Sequence, residues 1–316
     1  MCSPLRFFNL AAFLLNLLCT FGISYMGEFG VGHTNVEISA QYPTILTPPW
    51  FAFPVAWVLI FTFEAFFVLW QMCQSERNPY VRHGISWWFV IACLAQAAWN
   101  FTFAKEHMIT SLILLVIVTK ALHIAMWRLT VVSDKPGTPG TGCCGAMWLW
   151  VPFGAHAAWT GWLFAINLME VLTQLGLSAP VQLAAALGLL AWLWAVNAAM
   201  VVLSRNFWYG LTSCWAFFCI AHDQAYAASL LGPDVAAALR LLALGMAAAM
   251  GLATLLGATC LRALYKFLVE LLIGDPMEGL PSYYMRSGEN SYVNPTGGVA
   301  ATSGGRTGAN YFAVAN

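Results

Sequence analysis

QYPTILTPPWFAFPVAW, residues 41–57, decides how this chain is read. Pro48 and Pro49 end an approach loop, since neither can continue a hydrogen-bonded element and Pro48 is itself followed by proline. Trp50, Phe53 and Trp57 follow at once, and the apolar run continues to about Met72. That length suits a membrane-crossing helix, which needs about 20 apolar residues. Large rings at its mouth have two readings: interfacial anchors, or the wall of a pocket.

The rest of the chain agrees on the solvent. Of its 316 residues 60% are hydrophobic and 8% charged, and the mean hydropathy is +0.73. A soluble domain carries about 25% charged residues, so this surface must face lipid. The net charge is zero and there is no basic patch, which argues against a nucleic-acid partner. The nine cysteines include no C-x-x-C pair and no zinc-type spacing with histidine. Cys19, Cys93, Cys214, Cys219 and Cys260 fall within apolar runs and read as small packing residues. Cys2, Cys73, Cys143 and Cys144 flank the runs. No metal or catalytic motif appears: no H-E-x-x-H, G-x-S-x-G or Walker loop. An enzyme is not expected.

Eight candidate spans follow, at about 5–26, 50–72, 86–104, 107–130, 147–173, 180–203, 207–231 and 235–262. The first resembles a signal peptide in having Arg6 before an apolar run, but it lacks a cleavage site and reads as a retained helix. The last is expected to continue to about residue 272, through Arg262, Lys266 and Glu270. Eight crossings put Arg6, Arg77, Arg82, Arg128, Lys135, Arg205, Arg262, Lys266, Arg286 and Arg306 on one side. The other side keeps Lys105, with Arg240 near it inside the last span. The positive-inside bias then places both termini in the cytoplasm. Residues 274–316, rich in Gly, Ser, Asn and Thr, read as a disordered cytoplasmic tail. Which membrane is involved is not legible.

The tryptophans divide by depth. Trp70, Trp87, Trp88, Trp127, Trp148, Trp150 and Trp208 fall at span ends and fit an interfacial belt. Trp57, Trp99, Trp159, Trp162, Trp192, Trp194 and Trp215 lie deeper. An indole N–H there needs an acceptor, so these are expected to face protein, a cavity or a ligand. Polar residues inside the spans are few: Glu64, Gln96, Asn100, Lys120, His123, His156, Asn167 and Asn197. An intramembrane charge costs at least about 2.5–3.5 kcal/mol. Glu64 and Lys120 sit at similar depth in parallel spans, which predicts an ion pair between them with His123 nearby. Such a group is either structural or a proton or ion relay. Gln96, Asn100 and Asn197 serve either as interhelical glue or as ligand contacts.

With those residues in view, the chain resembles the TspO/MBR family, the tryptophan-rich sensory and translocator proteins, and most closely its longer branch with extra C-terminal helices. EISAQYPTILTPPWFAFPVAW matches the family's entry to the second helix through Glu37, Tyr42, Pro43, Thr47, Pro48, Phe53 and Trp57. LAQAAWNF supplies Trp99 and Asn100, with Gln96 where Asn is usual. VPFGAHAAWTGWLFAIN supplies Pro152, Phe153, Trp159 and Asn167, with His156 at an aromatic position. RNFWYGLTSCWAF supplies Arg205, Tyr209, Trp215 and Ala216. The likeness covers about residues 5–225. Two departures stand out: the usual glycine after the prolines is missing, and no Tyr-x-Arg/Lys sterol-type signature follows the fifth span.

The resemblance implies an all-α polytopic bundle with a TspO-like five-helix core (1–175), three appended helices (176–273) and the tail. It implies a pocket beneath the 27–49 loop for a hydrophobic ring ligand, tetrapyrrole-like (haem or protoporphyrin) or lipid. The residues expected around it are Trp50, Phe53, Trp57, Gln96, Trp99, Asn100, His156, Trp159 and Asn167. The protein is then a membrane binding protein, carrier or sensor. The alternative is an ion- or proton-coupled transporter built on Glu64, Lys120 and His123. Partners are membrane lipid and the small ligand. Gly245, Gly251 and Gly257 in the last span allow close packing on the bundle or on a second copy, as in a homo-oligomer.

Overall fold

A computed structural model describes residues 4–27, 29–30 and 32–259. The extension through Arg262, Lys266 and Glu270, the 274–316 tail with Arg286 and Arg306, and Cys2 and Cys260 lie outside the described residues, as do the side chains of Cys143 and Cys144. All the described structure is helical: α1 Pro4–Ser24, α2 Asn35–Gln41, α3 Ala52–Cys73, a π-helical turn at Tyr80–Ile85, α4 Trp88–Ala104, α5 Met108–Asp134, α6 Gly142–Gln174, α7 Ala179–Ser204, α8 Phe207–His222, α9 Ala225–Leu231 and α10 Pro233–Thr259.

Five of these, α1, α3, α5, α7 and α10, are long and apolar enough to cross a membrane. The chain is an integral membrane protein. α4 is equally apolar but has 17 residues. α6 runs for 33 residues, with Thr160, Asn167, Glu170 and Thr173 among its apolar positions. The expected span at 207–231 is interrupted. α8 ends at His222, where the Asp223 N–H still reaches the Cys219 carbonyl at 3.3 Å. Asp223 Oδ1 then accepts from the Ala225 N–H as α9 begins. A short acceptor side chain satisfies the orphan donors of a helix start, so it ends one helix and opens the next.

Helices α1, α4, α5, α6 and α3 pack each on the next and close into a ring, with α3 returning to α1. α6 also carries α8 and α7 on its outer side, and α10 lies against α8 and α7. α6 is thus the hub: every residue from Val151 to Leu163 is buried. A helix buried all round must be apolar or internally satisfied all round. Phe67, Phe89 and Phe153 join α3, α4 and α6 edge to face, with centroids 5.0–5.5 Å apart.

Local chemistry fixes the junctions. Asn206 caps α8 by accepting from the Trp208 and Tyr209 N–H groups at 2.9 and 3.2 Å, and its Nδ2 donates to the Trp150 carbonyl of α6 at 3.0 Å. Gly154 permits this. A Cβ there would stand 2.4–2.7 Å from the Asn206 amide group. Arg6 donates to the Ser75 carbonyl and Arg205 pairs with Asp134. The small residues of α10 have a place too: Gly251 faces Cys214 of α8, at 3.7 Å from a Cβ position to Sγ.

Candidate functional site

The loop between α1 and α3 forms a lid. Gly27, at φ 65°, turns the chain out of α1, a left-handed position that suits glycine. α2 then opens with a capping box. Thr34 Oγ1 accepts from the Glu37 N–H at 3.1 Å, and Glu37 Oε2 accepts from the Thr34 N–H at 2.7 Å. Hydrogen bonding to the carboxylate from the Thr34 backbone N–H, and then from the Thr34 side chain, holds the Glu37 carboxyl below its usual range. The Thr44 and Thr47 side chains bond to each other at 2.9 Å and tighten the turn before the two prolines. Tyr42 O–H donates to Glu106 Oε2 at 2.8 Å, tying the lid to the α4–α5 turn. That acceptor raises the Tyr42 pKa.

Beneath the lid is a cavity of about 300 Å³. Its walls are aromatic: Phe53 and Trp57 from α3, Trp99 and Phe103 from α4, and Tyr25 from the end of α1. Asn35 and Ser39 of α2 form the roof, and Asn167 and Glu170 of α6 and Asp223 after α8 complete the lining. Trp50 lies on the rim, 76% exposed. Trp57, Trp99 and Trp159 are all buried. The Trp99 and Trp159 Nε1–H groups have no hydrogen-bond partner among the described residues.

Of the nine residues expected at the pocket, Trp50, Phe53, Trp57, Trp99 and Asn167 line it. Trp159 stands behind Phe53, edge to face at 5.8 Å. Gln96, Asn100 and His156 lie deeper and belong to a polar chain. The Nδ1 atom of His156 is 2.7 Å from Glu64 Oε1, and its Nε2 is 2.7 Å from Gln96 Oε1. Both Glu64 and His156 are wholly buried, and Trp57 meets the imidazole edge to face at 5.7 Å. From Gln96 the chain passes to Thr20 at 3.5 Å, and Asn100 Nδ2 reaches the same hydroxyl at 3.1 Å. Asn100 Oδ1 accepts from Ser24 Oγ at 2.8 Å and from Asn35 Nδ2 at 2.9 Å. A continuous run of polar groups therefore joins Glu64 in the bundle to Asn35 in the lid.

The expected Glu64–Lys120 pair does not form. Lys120 is exposed on α5. His123 bonds instead to the Thr119 carbonyl at 2.7 Å and to the Tyr209 hydroxyl at 3.0 Å. Equal depth places two residues at one level but not on facing sides. α5 turns Lys120 outward, while α6, packed between α3 and α5, offers His156 to Glu64. Among the deep tryptophans, Trp192 departs from expectation: it is 46% exposed. Asn197 accepts from the Tyr209 hydroxyl at 2.7 Å and acts as interhelical glue.

Sequence reasoning missed the polar face of the first helix. Asn9, Asn16, Thr20 and Ser24 are all buried on one face of α1, and their spacing of seven, four and four along the helix was the available signal. It also missed Glu170, buried at the cavity wall, where Oε1 accepts from Ser39 Oγ at 2.9 Å and Oε2 from Asn167 Nδ2 at 3.4 Å.

These features define a polytopic helical membrane protein with aromatic clusters and a lidded, aromatic-walled cavity. The model of the TSPO-like protein family matches residues 6–256, and the chain belongs to that family. No curated protein and no solved structure matches it.

Proposed function

We propose that the protein binds a hydrophobic ring ligand, tetrapyrrole-like or lipid, in the cavity beneath α2 and acts as a membrane carrier or sensor for it. The observation that carries this reading is the cavity itself. Trp57, Trp99, Phe53 and Phe103 present large rings to one space, and buried polar atoms beside them are left unpartnered. Buried polar groups are ordinarily satisfied, and flat apolar walls with a few convergent polar groups are the usual make-up of a small-molecule site. A volume of about 300 Å³ is at the lower end of such sites and favours a compact ring system. The topology that accompanies this reading has eight crossings, with α8 and α9 together supplying the seventh and both termini cytoplasmic. It puts the lid on the opposite face. The five-helix ring through residue 175 is the binding unit, and the later helices buttress α6.

The test is direct binding of a neutral, flat probe, anthracenylmethanol, to the full chain in a nonionic detergent, followed by probe anisotropy. Saturable binding is expected. Trp57→Ala with Trp99→Ala should weaken it about tenfold, the loss of two ring contacts of about 0.5–1.5 kcal/mol each. An unchanged Kd in the double variant rejects the site.

A second reading rests on the buried Glu64–His156–Gln96 group. Both imidazole nitrogens face oxygen atoms. An imidazolium would donate to both, whereas a neutral ring satisfies both only when Glu64 carries the proton. The group is thus a place to hold a proton, joined by hydrogen bonds to the lid. Proton-coupled ligand movement predicts probe uptake into proteoliposomes that responds to a pH gradient. Glu64→Gln should abolish the response and leave equilibrium binding within about twofold. Equal gradient dependence in variant and parent eliminates this reading.

A further inference from the structure

We propose that a basic cleft at the end of α5, outside the lidded cavity, holds the headgroup of an anionic phospholipid. The proposal is independent of what the cavity binds.

No run of basic residues marks this place in the sequence. Folding gathers it from separate segments. The π-helical turn Tyr80–Ile85 packs against α5. Gly84 lets it approach, since a Cβ there would stand 2.8 Å from Leu129 Cδ2. Arg128 Nε donates to the His83 carbonyl at 2.8 Å and pins the turn to the helix. The chain then leaves α5 through Lys135, Pro136 and Gly137, and Tyr80 O–H donates to the Pro139 carbonyl at 3.0 Å. Turn, helix end and loop thus enclose a cleft of about 580 Å³, with His83, Trp127, Arg128, Val131 and Lys135 in its lining.

The charge in the cleft is positive and uncompensated. Arg128 and Lys135 line it, no Asp or Glu does so among the described residues, and neither cation has an ion-pair partner among them. Arg128 engages the protein through Nε, and its two terminal amino groups make no hydrogen bond among the described residues. A guanidinium fork in that state matches two oxygens of one phosphate. The neighbouring cleft shows the contrast. Its Arg205 is paired with Asp134, which lines that cleft and not this one.

The position favours a lipid over a free anion. α5 has 27 residues. That is about 40 Å of helix against about 30 Å of hydrocarbon, so its last turns reach headgroup level. Trp127 and Val131, one turn apart on α5, are 46% and 53% exposed. An exposed indole at a span end belongs to the membrane interface. Together the two side chains give acyl chains an apolar surface beside the cations. A soluble phosphate would satisfy the charge and leave that surface bare. Basic pockets between transmembrane helices are recurrent seats of anionic headgroups.

The test is native mass spectrometry of the full chain in nonionic detergent, titrated with dioleoyl phosphatidylglycerol or dioleoyl phosphatidylcholine. The first phosphatidylglycerol should bind about tenfold more tightly than the first phosphatidylcholine. Arg128→Gln with Lys135→Gln should bring the two lipids level. Lys105→Gln with Arg240→Gln removes as much charge away from the cleft and should keep the preference. If the Arg128 variant does not melt as the parent does, Lys135→Gln alone changes an exposed side chain and should narrow the preference about threefold. Equal binding of both lipids by the parent overturns the assignment. So does a preference that survives in the cleft variants, or one that is lost in Lys105→Gln with Arg240→Gln. Displacement of phosphatidylglycerol by equimolar inorganic phosphate assigns the cleft to a free anion and overturns the lipid.

Discussion

His156→Phe should destabilise the protein by about 1–3 kcal/mol or more, the cost of leaving a buried carboxyl group without its hydrogen-bond partner. Glu64 is wholly buried, its Oε2 already has no partner, and its Oε1 meets His156. Phenylalanine fills the space but offers no donor. The resemblance expects an aromatic residue at this position, so the ring itself should fit. The loss is then that of a hydrogen bond to a buried polar group, and Glu64→Leu added to His156→Phe should recover most of it, because both polar groups are gone together. Thermal unfolding in detergent reads this: a large drop in Tm for the single variant and a return toward the parent in the double. A single variant that melts with the parent would show that Glu64 is satisfied some other way. Gln96 would lose its contact to the imidazole as well, but its Nε2 keeps Thr20.

Gly210→Val should be comparably severe, for a steric reason. Gly210 of α8 faces Thr254 of α10, and a Cβ there would fall 2.0 Å from Oγ1, 2.7 Å from Cγ2 and 2.9 Å from Cβ of Thr254. Turning the threonine side chain moves the first two atoms but not its Cβ. The helices must separate, and overpacking of this kind costs about 1–3 kcal/mol even for small additions. Membrane helices associate through close packing of small residues, not through exclusion of water, so a separated α8–α10 pair loses the contact that holds it. Gly210→Ala should show a smaller loss, and Thr254→Gly should relieve it where Thr254→Ala does not, since alanine keeps the obstructing Cβ. Equal Tm in Gly210→Val and the parent would mean that α10 is not seated as described.

Both predictions concern contacts between helices, which is where sequence reading fell short. The helical segments themselves were legible. Each expected span is helical over most of its described residues, because runs of about 20 apolar residues bounded by Pro, Gly and charged residues admit no other backbone in lipid. The lid was legible too. Pro48 and Pro49 stop the loop, while the Thr34–Glu37 spacing, a helix-start signature, was passed over. The break at Asp223 was passed over because the apolar pattern continues on both sides of it.

The amino-acid sequence by itself determined that this is a helical membrane protein and about where its long helices lie, and its family resemblance put Phe53, Trp57 and Trp99 near a lid. Only the tertiary structure decided which polar groups meet: that Glu64 takes His156 and not Lys120, that Gln96 and Asn100 join a chain from α1 to α2, and that Glu170 reaches the cavity. The reason is physical. In a soluble helix the apolar stripe reveals which side faces inward. Lipid is as apolar as a packed interior, so a membrane helix carries no such mark, and its rotation about its own axis is set by neighbours that become known only when the bundle is assembled.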